Sequence, residues 1–274
     1  MLKDLIAIVD NAEASRGFLQ QAAAFAEAQE AHLAITLLTK DYVNLVASPY
    51  GLSPIPYDRL TIDQTDGLGA IKALMGKAAI PVEVRGVVED SAYLHGASRV
   101  EGRYADLLLI GSRTSYEDAK LRRRLAEGAI MSSGGPVLIL PEEGSLERVR
   151  RAAVGWDASA EARRAVRDLM TLLEPGGYID IVTVDAEESQ MGHGQSPGSD
   201  IARHLARHGY QVQVHHESSV GRTVSEALQE VARVHDADLL VIGAFAHPRV
   251  RDILLGGVTR DLLHEVKSPL LLSR

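Results

Sequence analysis

The chain has 274 residues, of which 46% are hydrophobic, and its formal net charge is −8; this length allows two domains of ordinary size. The negative charge argues against nucleic acid as a partner, because binding nucleic acid requires a basic surface, and the absence of cysteine excludes disulfides and thiolate metal sites. No apolar run approaches the roughly 18 residues of a membrane span, and the apolar N-terminus is too short for a signal peptide, so we expect a cytoplasmic protein without membrane contact.

The first half of the chain predicts strands that alternate with helices. An apolar run that ends in Asp10 indicates a buried strand, and Ser15 suits the start of an alanine-rich helix that extends to about residue 30. The later predicted elements are strands at residues 32–38 and 82–88, a helix at 91–103, a fourth strand that ends at Gly111, a further helix and a fifth strand at Pro136–Leu140.

Residues 40–66 include an insertion of about 16 residues relative to the second half. The segment contains three tyrosines and three prolines, at Tyr42, Tyr50, Tyr57, Pro49, Pro54 and Pro56. A long surface loop is the simpler interpretation. A lid or a partner-contact segment is the alternative, because long ordered loops in compact domains are often functional.

The second half repeats this order of elements. A strand at residues 152–157 ends in Asp157 and leads into a helix that extends to Leu173. The later predicted elements are strands at residues 178–184 and 212–216, a helix at Thr223–Val234, a fourth strand that ends at Gly243, a helix through Glu265 and a fifth strand at Pro269–Ser273.

The two fourth strands are nearly identical in sequence. Residues 105–111 read Ala-Asp-Leu-Leu-Leu-Ile-Gly, and residues 237–243 read Ala-Asp-Leu-Leu-Val-Ile-Gly. Such a repeat indicates two copies of one unit. We therefore predict an α/β fold with two tandem domains, at residues 1–141 and 148–274, each a five-stranded parallel sheet flanked by helices.

Ligands of open parallel sheets bind beyond the carboxyl ends of the strands, near the point where the strand order reverses. In the second half this edge is predicted to hold Asp157, the segment after Val184 and the loop after Gly243. That loop ends in Gly256 and Gly257, which open a helix. Such a turn can cradle phosphate, because glycine admits a close ligand and helix-terminal N–H groups attract anions; an ordinary turn is the alternative.

These residues resemble those of a tandem universal stress protein, and the resemblance spans nearly the whole chain. Nucleotide-binding members of that family carry an aspartate after strand one and a Gly-x2-Gly-x9-Gly-Ser/Thr motif after strand four. Gly243 and Gly256 have the required spacing, whereas Ala246 replaces the second glycine and Gly257 replaces the hydroxyl residue. The resemblance implies an ATP or AMP site, with the adenine at the aspartate, formed by Asp157, Val184, Gly243, Ala246, Gly256, Gly257 and Val258.

The resemblance also implies a fold of the universal stress protein and adenine nucleotide alpha hydrolase type. It implies that the two fifth strands pair as an intramolecular pseudo-dimer, and it leaves a further homodimer open. The implied function is adenine nucleotide binding coupled to a stress response. The alternative is a nucleotide-free interaction protein, as in family members that lack the motif. No catalytic residue is predicted, so any enzymatic activity would be at most that of a slow ATPase.

The first half departs further from this motif. Thr114 stands at the position of its second glycine and Arg124 at that of its third, although Asp10 is retained. We therefore expect a half that keeps the fold and has lost the phosphate turn. The basic residues Lys120, Arg122, Arg123 and Arg124 are expected to form a solvated face, with contact to an anion as the alternative.

The ten histidines do not predict a metal site. His204 and His208 lie one helical turn apart and share a face, but metal sites need three or four converging ligands, and no third ligand is evident. His193 lies in a loop that is either plain or a cover of the pocket. His247 lies in the loop after Gly243 and contacts either the nucleotide or solvent, and Trp156 is expected to be a core or wall residue.

Overall fold

The computed structural model describes residues 2–274 except residues 42–44, 49–50, 55–57, 91, 189–193, 195 and 246–256. Within these ranges it describes the side chains of every residue outside residues 41–63.

One ten-stranded sheet runs through both halves of the protein. Its strands, with one separate hairpin, are β1 (Asp4–Val9), β2 (His32–Asp41), β3 (Leu45–Ser48), β4 (Gly51–Pro54), β5 (Val82–Asp90), β6 (Leu107–Ile110), β7 (Val137–Ile139), β8 (Val149–Gly155), β9 (Leu173–Val184), β10 (Gln211–Glu217), β11 (Leu239–Gly243) and β12 (Leu270–Ser273). The strand order is β10-β9-β8-β11-β12-β7-β6-β1-β2-β5, and β3 pairs with β4. Within each half the order is third, second, first, fourth and fifth strand, and all neighbours run parallel, which confirms the predicted α/β class.

Helices cover both faces of the sheet. They are α1 (Arg16–Ala28), α2 (Asp58–Met75), α3 (Ala97–Glu101), α4 (Ala119–Ser132), α5 (Ala160–Leu169), α6 (Ser199–Arg207), α7 (Val224–Val234) and α8 (Gly257–His264). Alternate residues of each strand belong to two buried clusters, one on each face of the sheet. Leu5 and Ala7 lie on the face covered by α1 and α5, and Ile6 and Ile8 lie on the face covered by α4, α7 and α8. Burial on both faces explains why the strands are apolar throughout.

The two halves meet at one antiparallel strand pair. β7 pairs with β12, with Leu138 opposite Leu271, and both side chains are fully buried. The remaining pairs at this seam are equally apolar, since Val137 and Leu272 are also fully buried. The two fifth strands therefore leave no open edge between the halves, and the sheet is continuous.

Two expectations about helices were wrong. Helix α5 ends at Leu169 instead of extending to Leu173, because β9 already begins at Leu173 and pairs with Val149 of β8. The helix expected at residues 91–103 is divided into short 3₁₀ and α segments that meet at Gly96 and Gly102, since glycine interrupts helices.

The insertion in the first half is more than a loop. The hairpin of β3 and β4 lies within residues 40–66, and α2 begins at Asp58. Tyr42, Tyr50 and Tyr57 lie outside the described residues, so the expectation of a lid or contact segment stays a prediction.

In the part of the chain that the structure describes, no helix combines the length and apolar character needed to cross a membrane.

Candidate functional site

The strand order of the second half reverses between β8 and β11. The register places Gly155 of β8 beside Ile242 of β11, so Asp157 and Gly243 leave the sheet at the same edge from neighbouring strands. Gly155 also pairs with Val182 of β9, which brings Val184 to this edge. The structure thus gathers three predicted site residues at the switch point of the sheet, where ligands of such folds bind.

Asp157 is held by a tight local turn. Its Oδ1 accepts a hydrogen bond of 3.0 Å from the Ser159 N–H, and the next residue, Ala158, has a φ of +58°. The Ser159 hydroxyl in turn accepts from the Ala162 N–H and caps α5. Among the described residues Asp157 makes no other hydrogen bond, and its side chain is exposed. The second carboxylate oxygen therefore has no hydrogen-bond partner among the described residues.

A second turn follows β9. Val184 is half-buried, and Asp185 after it has a φ of +48°. The Asp185 N–H donates to the Glu217 carbonyl at 3.0 Å, and its carboxylate accepts from the Ser219 N–H. These bonds fix the chain just beyond Val184, so that its backbone is presented at a defined position.

Gly243 permits a close approach between β11 and α5. A Cβ atom at this position would lie 2.3 Å from the Ala162 nitrogen and 2.5 Å from the Glu161 carbonyl carbon. The glycine is therefore required by packing of backbone on backbone, a role that the sequence motif alone did not indicate. Two residues later Phe245 has a φ of +64°.

The remaining predicted site residues lie within a segment that is not described or directly after it. Ala246, Gly256 and His247 lie outside the described residues. Gly257 begins α8 and is exposed, and Val258 is half-buried. No strand pairing ties these two residues to Asp157, so their grouping with the rest of the site stays a prediction.

Backbone strain is concentrated at the carboxyl edge of the second half. Of the five non-glycine residues described with positive φ, Ala158, Asp185 and Phe245 lie there, directly after β8, β9 and β11. The other two, Glu30 and Asp236, end helical segments. Such conformations cost about 1–3 kcal/mol each and cluster at functional sites. Among the described residues of the first half, none at the equivalent edge has a positive φ without being glycine.

In the first half, the carboxylate of the matching aspartate is hydrogen-bonded to backbone N–H groups of the same half. Asp10 accepts hydrogen bonds from the Glu117 N–H at 3.0 Å and from the Asp118 N–H at 2.9 Å, one on each carboxylate oxygen. Burial raises the pKa of Asp10, although these two N–H groups oppose the rise. The loop after β6 thus folds back over the residue that remains open in the second half.

Several further bonds hold this loop in place. The buried Tyr116 hydroxyl donates to the Ile8 carbonyl at 2.6 Å, and the Ser15 hydroxyl donates to the Ser115 carbonyl at 2.6 Å. The Lys40 ammonium lies 2.7 Å from the Asp118 carboxylate and holds the pKa of Asp118 below its usual range. The switch point of the first half is therefore filled by residues of its own chain.

The expectation of a solvated basic face in the first half is wrong for Arg122. Its side chain is buried, and it donates to the carbonyls of Gly111 and Leu263. Arg123 is exposed and pairs with Glu127, in keeping with the expectation, and Arg124 donates to a loop carbonyl. Because α4 is helical, successive residues point in different directions, and Arg122 lies on the buried face while Arg123 and Arg124 lie on the exposed face.

A buried ionic cluster in the second half was missed by the sequence reasoning. Asp180 of β9 is 1% exposed, and Arg151 of β8 donates to both its carboxylate oxygens, at 2.7 and 3.0 Å. The ring nitrogen Nε2 of His215 lies 2.8 Å from the same carboxylate, and the ring of His235 lies 4.4 Å from that of His215. A charged residue in the middle of the apolar run 178–184 was the signal that could have revealed it.

This cluster contains residue types that bind metals, but its carboxylate is already bound by an arginine. Asp180, His215 and His235 offer ligand atoms within 4.8 Å of one another. However, the Arg151 guanidinium binds both carboxylate oxygens and also lies 3.4 Å from the His235 ring nitrogen. A metal ion would have to displace this cation, so the geometry is that of a neutralised ion pair.

His204 and His208 share a face as predicted, with ring centroids 4.8 Å apart.

A cavity of about 400 Å³ lies beside the candidate site rather than in it. It is found beyond the ends of β9 and β10, where Thr183, Asp185, His216 and Glu217 line it. The Thr183 hydroxyl and the His216 ring nitrogen are 2.9 Å apart. Because several carboxylates surround this cavity, it does not suit a phosphate, and we place the candidate site at the switch point.

Comparison with known proteins concerns the family and the fold. The model of the Universal stress protein family matches residues 148–274, and no curated protein matches the sequence. Among solved structures, the chain is similar to a universal stress protein from Archaeoglobus fulgidus DSM 4304, with 18% sequence identity and a TM-score of 0.69 over 99% of this chain and 96% of that chain.

A second structure is similar over the same length. It is a functionally unknown protein from Pseudomonas aeruginosa PAO1, with 14% sequence identity and a TM-score of 0.61 over 99% of this chain and 92% of that chain. At these identities the likeness concerns the fold. The family model therefore covers the second half of the chain, and the chain as a whole shares the fold of the Archaeoglobus fulgidus universal stress protein.

Proposed function

We propose that the chain is a two-domain stress-response protein that binds an adenine nucleotide, ATP or AMP, in its second half alone. The domains are those expected at residues 1–141 and 148–274, joined as an intramolecular pseudo-dimer through β7 and β12. The observation that carries the proposal is the contrast between the two aspartates. Asp10 is bound on both oxygens by its own chain, whereas Asp157 is exposed with one oxygen unused.

The roles within the second half follow from chemistry. The open Asp157 carboxylate suits the amino group of adenine as a hydrogen-bond acceptor. The fixed backbone beyond Val184 offers a further contact to the base. Gly257 opens α8, and the N–H groups of this first turn are available to the phosphates, because the first N–H groups of a helix have no intrahelical partner. Ribose and phosphates are thus proposed to lie over Gly243, Gly256, Gly257 and Val258.

Matched replacement of the two aspartates tests the proposal. Asp157→Ala is expected to weaken ATP binding about 10- to 100-fold, since a hydrogen bond to a charged group contributes about 1.5–3 kcal/mol. Asp10→Ala, the control, is expected to change the affinity less than about twofold, because Asp10 serves its own loop. Isothermal titration of protein stripped of bound small molecules measures both. Equal losses in the two variants would contradict the assignment to the second half.

A second variant tests the phosphate turn. Gly256→Arg gives the second half the residue type that the first half has at Arg124, and it is expected to abolish ATP binding. An unchanged affinity would place the nucleotide elsewhere. If protein purified from cells releases no nucleotide on denaturation, and the stripped protein shows no heat with millimolar ATP, the chain is instead a nucleotide-free interaction protein. The departures at Ala246 and Gly257 are what favours that second function.

A further inference from the structure

One buried arginine connects the two halves away from the sheet. Arg122 of α4 is 3% exposed, and its Nε donates to the Gly111 carbonyl at 3.1 Å. Its Nη1 donates to the Leu263 carbonyl of α8 at 2.5 Å. The third guanidinium nitrogen, Nη2, is buried without a hydrogen-bond partner among the described residues. The cation is thus held by carbonyl groups, one from each half.

The contact lies at the C-terminal end of α8. Leu263 belongs to the last turn of this eight-residue helix, and carbonyls of the last turn have no partner within their own helix. A cation at this end also interacts favourably with the helix dipole. Arg122 therefore caps a helix of the second half from within the first half.

The opposite end of α8 is the proposed phosphate turn. The helix begins at Gly257 and is about 12 Å long, at roughly 1.5 Å per residue. Its Leu262 and Leu263 pack in the same buried cluster as Leu121 and Leu125 of α4. A short helix moves as one body, so a contact that fixes its C-terminal end also sets the position of the N–H groups at its start.

In the second half, the sequence position that matches Arg122 holds a leucine. Counting from the shared glycines Gly111 and Gly243, the residue that matches Arg122 is Leu254, and leucine has no side-chain donor. The side chain at this position therefore cannot donate a matching bond to the first half. The two halves thus differ here as they do at the two aspartates. The first half, in which Asp10 is bound by its own chain, contributes a contact to the second half, in which Asp157 is exposed.

We propose that Arg122 is a positioning residue for phosphate binding by the other half. Its guanidinium fixes the C-terminal end of α8, and the helix in turn presents Gly257 and Val258 to the phosphates. This inference rests on the proposed nucleotide site for its phosphate part. Its structural part, that Arg122 holds α8, stands on the contacts alone.

The test compares ATP with adenosine, which lacks the phosphates. Arg122→Met is expected to weaken ATP binding about tenfold, which corresponds to about 1.4 kcal/mol, and to change adenosine binding less than about twofold. Arg122→Lys keeps the cation and is expected to restore part of the ATP affinity, and it serves alone if the methionine variant does not fold. Arg123→Met, on the exposed side of the same helix, is the control and is expected to match the wild type. Amide hydrogen exchange within Gly257–His264 is expected to accelerate in Arg122→Met only.

Each outcome decides the inference. Equal loss of ATP and adenosine affinity, or unchanged ATP affinity, would overturn the positioning role. Unchanged exchange in α8 would overturn the structural part whether or not nucleotide binds. If the wild type binds neither ligand, the proposed function and the phosphate part fall together, and the exchange rates still decide whether Arg122 holds α8.

Discussion

Replacing Arg151 with methionine is expected to lower the free energy of unfolding by about 3 kcal/mol, the lower end of the usual cost of removing one partner of a buried ion pair, because the Arg151 side chain is itself 30% exposed. The change leaves the Asp180 carboxylate, which is 1% exposed, with the His215 ring as its one described side-chain partner. A buried charge without adequate compensation is costly, because it has lost its hydration. Chemical denaturation followed by circular dichroism measures the difference.

The neighbouring arginine provides a matched control. Arg150 of the same strand is exposed and lies 3.3 Å from Glu174, and Arg150→Met is expected to cost less than about 1 kcal/mol, as exposed ion pairs do. The double variant Arg151→Met/Asp180→Leu removes both charges and is expected to recover most of the loss. If Arg150→Met and Arg151→Met cost the same, the cluster is not the stabilising ion pair described above.

The same pair gives a pH dependence with a definite sign. Burial of Asp180 opposes its ionisation, but hydrogen bonds from Arg151 and His215 outweigh burial and hold its pKa below the ordinary value of 3.8. A lowered pKa in the folded state stabilises the protein above pH 3.8, and this stability is lost as the pH falls through the folded value. The difference in stability between the wild type and Arg151→Met is therefore expected to narrow on acidification below pH 3.8.

Gly243→Ala is expected to lower the free energy of unfolding by about 2–3 kcal/mol, at the upper end of the range for overpacked positions. The new methyl group would meet the Ala162 nitrogen at 2.3 Å and the Glu161 carbonyl carbon at 2.5 Å. These are backbone atoms in the first turn of α5, so no side-chain rotation relieves the contact. Displacement of α5 would also disturb the turn that holds Asp157, and ATP binding is expected to weaken together with stability.

A glycine at the start of α8 is the control for this change. Gly257→Ala places a methyl group with nothing within 4 Å, and it is expected to alter the free energy of unfolding by less than about 0.5 kcal/mol, as surface substitutions usually do. Thermal denaturation of both variants beside the wild type provides the comparison. A Gly243→Ala protein as stable as Gly257→Ala would show that α5 and β11 do not pack as closely as described.

The repeat was sufficient to predict the fold because it concerned the core. The matching strands β6 and β11 pair with the first and fifth strands of their own halves, and apolar runs there reflect burial on both faces. The aspartates at positions 10 and 157 follow first strands, as expected. Local sequence carries these features, since strand period and turn residues are set by neighbours in the chain.

The state of each site depends on contacts between distant residues and was not predictable in this way. Asp10 and Asp157 look equivalent in sequence, yet Asp10 is bound by the N–H groups of Glu117 and Asp118, more than 100 residues away. Arg122 was expected in solvent and instead reaches the other half, 141 residues along the chain. These long-range hydrogen bonds depend on how the loops fold back over the sheet. Neither the composition of the chain nor the spacing of its apolar residues indicates that path.

The stoichiometry of nucleotide binding tests the central claim most directly. Purified protein is denatured and refolded or otherwise stripped of bound small molecules, and ATP is titrated into it with heat as the signal. An open second half and a closed first half predict one nucleotide bound per chain. Two nucleotides per chain would contradict the closure of the first half over Asp10, and none at millimolar ATP would contradict nucleotide binding by the second.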